Sequence, residues 1–323
     1  MPQPTPARAG FDLVIRRPAL ILAEVLWRWC FGVASLGLLG LIFVLFLKSI
    51  PISDVERSFM KSGSLYLVAD ALSHIITAAK GPLLRSLAVL VPGLALLWTI
   101  AAGIGRLVTL PPFFDPTVSG AALSRATQLS PRAGALGPEG GWSMLPALLA
   151  ISFLRAALVL AGIGGYLASA IIAADVSGLG VNQDLQLFFV VFLPLLLLVV
   201  LIWATLNWLL SVAPLFAVRD GRSALGSFAD TVRLFARNPR DFTAVGTLYA
   251  LPRLIALVVA TAVSLMLFAA APQVGKYVVA ASLVAITLAY FVFADLLHLS
   301  RMAAYAVILE REVLRDTVPQ NVA

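Results

Sequence analysis

"FARNPRDF", residues 235–242, sets two phenylalanines and two arginines around an Asn-Pro step. Proline lacks a backbone donor and drives the residue before it out of the helical region, so a helix that reaches Arg237 ends at Asn238. Upstream lies "RSALGSFADTVRLFAR", 222–237, in which Leu225, Phe228, Val232 and Phe235 recur at helical spacing. Arg222, Asp230, Arg233 and Arg237 fall largely off that stripe. An apolar stripe beside a basic face is the pattern of a helix lying in a membrane interface. Apolar runs of membrane length, 186–218 and 243–271, stand on either side. The octapeptide therefore closes an interfacial helix and turns the chain into a span.

Composition agrees with that reading. Of 323 residues, 61% are hydrophobic and 12% charged, against about 25% charged in a soluble domain. Mean hydropathy is +0.99. A soluble fold of this composition would have too little polar surface to cover its core, and the bilayer is the solvent that suits it. Apolar windows fall near 27–49, 84–108, 145–174, 186–218, 243–271 and 277–303. Each supplies the ~20 apolar residues that a spanning helix needs. Pro92, Pro146, Pro194, Pro214 and Pro252 lie in or near these windows, where membrane helices tolerate them. The predicted fold is all-α: one integral membrane domain, 1–323, a polytopic bundle of about six transmembrane helices with interfacial amphipathic helices. The loop 52–80 is the longest between spans, and its part 64–79 is left open as a seventh or re-entrant segment. Asp70 and His74 weigh against a seventh span, because charge in the bilayer is costly.

Arginine orders the spans. Arg8, Arg16 and Arg17 precede the first, Arg106, Arg125 and Arg132 follow the second, and Arg219, Arg222, Arg233, Arg237 and Arg240 separate the fourth from the fifth. Arg301, Arg311 and Arg315 close the sixth. The positive-inside rule places this set, and both termini, in the cytoplasm. The expected location is a bacterial inner membrane, with the basic N-terminal run retained as part of the first span rather than removed as a leader. The net charge of +7 then points to anionic lipid head groups, not to nucleic acid. Cys30 is the only cysteine; it excludes an internal disulfide and reads as a packing residue.

Proline-marked basic segments precede three hairpins: "IRRPAL" at 15–20, "LSPRAG" at 129–134 and "RNPRDF" at 237–242. Pro18 and Pro131 are 113 residues apart, and Pro131 and Pro239 are 108 apart. Near-equal spacing suggests three copies of an interface helix followed by a hairpin. "SGAALSRATQLSP", 119–131, reads as a weaker interfacial helix, and "PPFFDPTVSG", 111–120, with "AGALGPEGGW", 133–142, as Gly/Pro loop.

The stretch "LNWLLSVAPLFAVRDGRSALGSFADTVRLFARNPRDF", 206–242, combines a span ending in a Pro-containing apolar segment, an acidic/Gly turn and a short helix ending in Asn-Pro. It resembles a loose group of uncharacterised bacterial polytopic inner-membrane proteins, including the membrane domain found fused to glycerophosphodiester phosphodiesterases. The resemblance implies an α-helical polytopic protein near lipid metabolism or envelope assembly. It brings no catalytic residues with it.

Little in the sequence points to chemistry. There is no Walker A loop, HExxH, nucleophile elbow or potassium-filter sequence, and no enzyme activity, cofactor or metal is expected. Asp70/His74 and Asp295/His298 read as local pairs. Asp295 and His298 form a candidate polar intramembrane site, since an acid inside a span is a functional candidate. Glu24 and Arg28 are four residues apart and can pair. Arg28, Arg155 and Arg253, each near the start of a span, are candidate contacts for a lipid phosphate or a partner, as are Arg233 and Arg237 of the surface helix. Trp27, Trp29 and Trp142 fit an interfacial belt. The glycines of "AGIGGYLASA", 161–170, and Gly37, Gly40, Gly103 and Gly105 read as sites of close helix packing. The expected function is a non-enzymatic scaffold or accessory subunit that binds membrane lipid or another membrane protein. The alternative is a transporter or lipid flippase.

Overall fold

The computed structural model describes residues 5–114, 138–178 and 184–317. The expected interfacial helix at 119–131, the "LSPRAG" segment and most of the two Gly/Pro loops lie outside the described residues. Ten α-helices occur among those described: α1 (Pro6–Ile15), α2 (Pro18–Ser49), α3 (Asp54–Lys61), α4 (Leu65–Thr109), α5 (Pro138–Val176), α6 (Leu185–Asp220), α7 (Ala224–Arg237), α8 (Pro239–Ala269), α9 (Ala271–Val274) and α10 (Lys276–Thr317). Six of them are long and apolar enough to cross a membrane. The protein is an all-α polytopic bundle.

Local chemistry sets the helix ends. Thr5 caps α1, Pro6 opens it, and Pro18 starts α2. Ser53 and Glu56 form a reciprocal capping box on α3. Gly221, at φ 62°, ends α6 in the left-handed conformation that glycine adopts without a Cβ penalty. Ser223 caps α7, whose last cap is Asn238, and Pro239 is the first residue of α8. The Asn-Pro step thus acts as the sequence predicts.

The chain divides into two compact units, Arg28–Ala101 and the remainder, Met1–Trp27 with Ala102–Ala323. In the smaller unit Phe31 packs edge-on to Trp98, and Gly93 faces the Leu38 side chain. The segment 64–79 is neither a seventh span nor re-entrant. It forms the opening turns of α4, which runs unbroken through Pro82 and Pro92. That helix measures ~67 Å at 1.5 Å per residue, over twice the ~30 Å hydrocarbon thickness. Cys30 is exposed along α2, not packed. Gly37 and Gly40 have open space where close packing was expected.

The larger unit holds two hairpins, α5–α6 and α8–α10, whose basal ends meet and enclose the core. Among the described residues of α6, burial begins only at Leu210 and then runs to Val218. In α8 it stops after Tyr249, and in α10 it is nearly continuous from Ala294 to Glu310. The "PPFF" stretch, expected as loop, is a short 3-10 turn over Pro111–Phe114 that buries both phenylalanines in this core. α1 lies against α10 and α8: the Tyr249 hydroxyl donates to the Ala7 carbonyl at 2.8 Å. A Cβ on Gly10 would stand 2.4 Å from the Ala304 backbone nitrogen. α1–α2 and α7–α8 share the plan of a short helix, a proline and a long helix, as expected for two of the three repeats.

Candidate functional site

Four aromatic rings fasten the basal end, and "FARNPRDF" supplies two of them. Trp208 of α6 meets Phe235 of α7 edge-on, with centroids 4.9 Å apart, and Phe242 of α8 stacks on Tyr305 of α10 at 4.9 Å. The Trp208 indole donates to the Tyr305 hydroxyl at 2.8 Å. Tyr305 is wholly buried. Pairs of this kind contribute about 0.5–1.5 kcal/mol each beyond area burial.

Once fixed in this way, α7 presents three faces. Ser227, Thr231 and Leu234 are buried against the protein, while Leu225 and Val232 are exposed. The expected apolar stripe is thus divided: its outer residues remain free for the membrane interface, and Phe235 turns inward to the rings. The third face carries the charges and borders a cleft of about 770 Å³ between α7 and the basal turns of α6 and α10. Arg219, Arg222, Arg233 and Arg237 line it together with Asp220, Asp230 and Glu312.

Asp230 and Glu312 lie deeper in the cleft than Arg222, Arg233 and Arg237. Asp230 pairs with Arg222 at 3.5 Å and with Arg233 at 3.2 Å; its side chain is 18% exposed, theirs 61% and 75%. Glu312, 16% exposed, pairs with Arg237 at 3.6 Å and accepts from the Asn238 side chain at 3.0 Å. Behind them Arg219 bridges Glu310 at 3.6 Å and Asp220 at 3.8 Å. Carboxylates held in the wall fix the guanidinium stems. Arg222, Arg233 and Arg237 remain well exposed at 61%, 75% and 62%, and guanidinium groups so placed suit a carboxylate or phosphate.

A second polar group lies in the same unit. Glu24, wholly buried, pairs with Arg106 at 3.2 Å and accepts from the Trp27 indole at 2.9 Å. The Arg106 guanidinium also lies 2.8 Å from His298 Nε2, and Arg301 lies 3.3 Å from His298 Nδ1. Asp295 is buried one turn before His298. Arg155 donates to the Asn207 side chain at 3.4 Å, joining α5 to α6. Arg253 lines a pocket with His298 and Arg301. Arg28 is half-buried in the smaller unit. Arg233 and Arg237 thus share the cleft and Arg253 shares a pocket with His298, whereas Arg155 stands apart at the α5–α6 seam. Asp70 and His74 are 3.9 Å apart on the exposed start of α4.

The sequence reading missed Glu312 as a cleft residue and Glu310 as the partner of Arg219 behind it. Their signal was present in "ILEREVLRD", 308–316, where acid and base alternate past the end of the apolar window. It also missed Arg106 as the partner of Glu24, a pairing 82 residues apart in sequence. Close glycine packing does hold at Gly103, Gly105, Gly162 and Gly165, which face Leu149, Trp27, Trp203 and Val199. Comparison with known protein families, curated proteins and solved structures finds no match to this chain.

Proposed function

We propose that the protein is a non-enzymatic scaffold or accessory subunit of a bacterial inner membrane, with both termini in the cytoplasm. It holds an acidic segment of another membrane protein against the α6–α7–α10 cleft. One observation carries this reading: the cleft exposes the guanidinium groups of Arg222, Arg233 and Arg237 while their own carboxylates sit in the wall. A partner carboxylate reaches donors already oriented and need not order a flexible side chain. The outward Leu225 and Val232 keep α7 at the membrane surface, where such a segment emerges. Extraction in mild detergent followed by native mass spectrometry tests the reading. The partner is expected to stay with the wild-type protein and to leave the Arg233→Glu/Arg237→Glu variant. Equal retention by both proteins would sink the proposal.

A transporter or lipid flippase is the second reading. It draws on the arms of the two hairpins, whose residues are largely exposed above the basal core. It requires flux that depends on Asp295, Arg155 or Asn207, and a reconstituted flux unchanged by Asp295→Asn would remove the acid from that role.

A further inference from the structure

A small pocket of about 270 Å³ opens between α8 and α10, lined on its polar side by Arg253, His298, Arg301, Tyr249 and Tyr290. We propose that it binds the phosphate of a single anionic membrane lipid, independently of the cleft and of any protein partner.

Three observations converge on this. First, the pocket gathers positive charge. Arg253 makes no ion pair or hydrogen bond among the described residues, and a second guanidinium, that of Arg301, lines the same space. The Tyr290 hydroxyl likewise has no hydrogen-bond partner among the described residues, so a second donor stands ready beside Arg253. His298 adds no negative charge to offset them, and a neutral imidazole accepts at only one of its two nitrogens. An arginine in a spanning helix is costly unless it meets an anion or the interface.

Second, the depth suits a phosphate. Arg253 lies roughly 24 Å along α8 from Ala269, and His298 roughly 33 Å along α10 from Lys276, at ~1.5 Å per residue. These positions straddle one ~30 Å hydrocarbon thickness measured from the opposite end of the hairpin. Asn207 and Arg155 lie at a similar distance, roughly 31–33 Å, from the far ends of α6 and α5. The polar groups of these spans thus share the level where head groups sit.

Third, the pocket continues into an apolar wall. Leu254 and Leu257 line it and are themselves exposed at 57% and 44%. A free phosphate has no use for that wall, whereas an acyl chain lies along it. The joint presence of guanidinium, phenol and leucine therefore selects a lipid over an inorganic anion.

The test uses the full-length protein in detergent, titrated with dioctanoyl phosphatidylglycerol and read by native mass spectrometry. One lipid per chain is expected to be retained. Charge-assisted hydrogen bonds of about 1.5–3 kcal/mol correspond to a loss of about tenfold or more in affinity for Arg253→Gln. Arg253→Lys keeps most of the binding, and the cleft variant Arg233→Glu/Arg237→Glu keeps all of it. Leu257→Trp fills the apolar side without touching the charge and is expected to lower retention as Arg253→Gln does. It keeps the test open should the arginine variant fail to fold. Equal retention by wild type, Arg253→Gln and Leu257→Trp overturns the site. Displacement of the lipid by an equal concentration of inorganic phosphate overturns the lipid as its source.

Discussion

The base and the arms of the larger unit are built from the same kind of helix and behave as different materials. At the base, α6, α7, α8 and α10 bury aromatic rings, the ion-paired Glu310 and the whole of Tyr305. A few turns away the same α6 shows leucines such as Leu197, 67% exposed, to its surroundings. The difference follows from what each environment rewards. Between lipid-facing helices there is no hydrophobic gain from association, because acyl chains are as apolar as leucine. Polar groups, by contrast, must find partners wherever water is scarce. The specific tertiary structure therefore collects where charge and aromatic hydroxyls or indoles need one another, and both proposed binding sites lie in that zone.

Substitutions should separate the two materials. The largest effect is expected from Glu24→Ala, which leaves the Arg106 charge buried beside His298. Breaking such a pair costs about 3–5 kcal/mol, to be read as a lowered midpoint in detergent-mediated unfolding. Gly10→Ala comes next, because its Cβ would meet the Ala304 backbone, which cannot rotate away. Overpacking of this kind costs about 1–3 kcal/mol, whereas Gly164→Ala, with nothing within 4 Å, leaves the midpoint unchanged. Tyr305→Phe removes the hydroxyl that receives the Trp208 indole proton, a loss of about 1 kcal/mol visible in the same assay and in tryptophan emission. Leu197→Ala on the arm is expected to cost less still, below about 0.5 kcal/mol. If that substitution proves as damaging as Gly10→Ala, the arms are packed surfaces after all and the contrast fails.

The six spans and the break at Asn238-Pro239 were legible because each rests on a local signal, a long apolar run or a proline. The polar base was less legible for a physical reason. Glu310 and Arg311 lie past the end of the apolar window, yet α10 continues to Thr317 with Glu310 buried against Arg219. Mutual neutralisation makes charged residues behave as core, and a hydropathy window counts each one alone. A hydropathy window likewise gives no sign that Glu24 pairs with Arg106 in another helix. The extension of α4 to Leu65 was hidden by Asp70 and His74, which are tolerable because both are exposed on a helix longer than the bilayer. Arg233 and Arg237 were identified from their spacing alone. That their carboxylate partners would be Asp230 and Glu312, one local and one distant, required the fold.

The seat of α1 has a consequence for biosynthesis. Its buried face, Ala7, Gly10 and Val14, rests on the part of α10 around Ala304. α1 therefore docks on a helix that is synthesised about 290 residues later. At 5–20 residues per second the interval between the two is roughly 15–60 s. For that time α1 lacks the α10 surface that covers it in the folded protein. The bilayer or a chaperone must shelter it until α10 has been made.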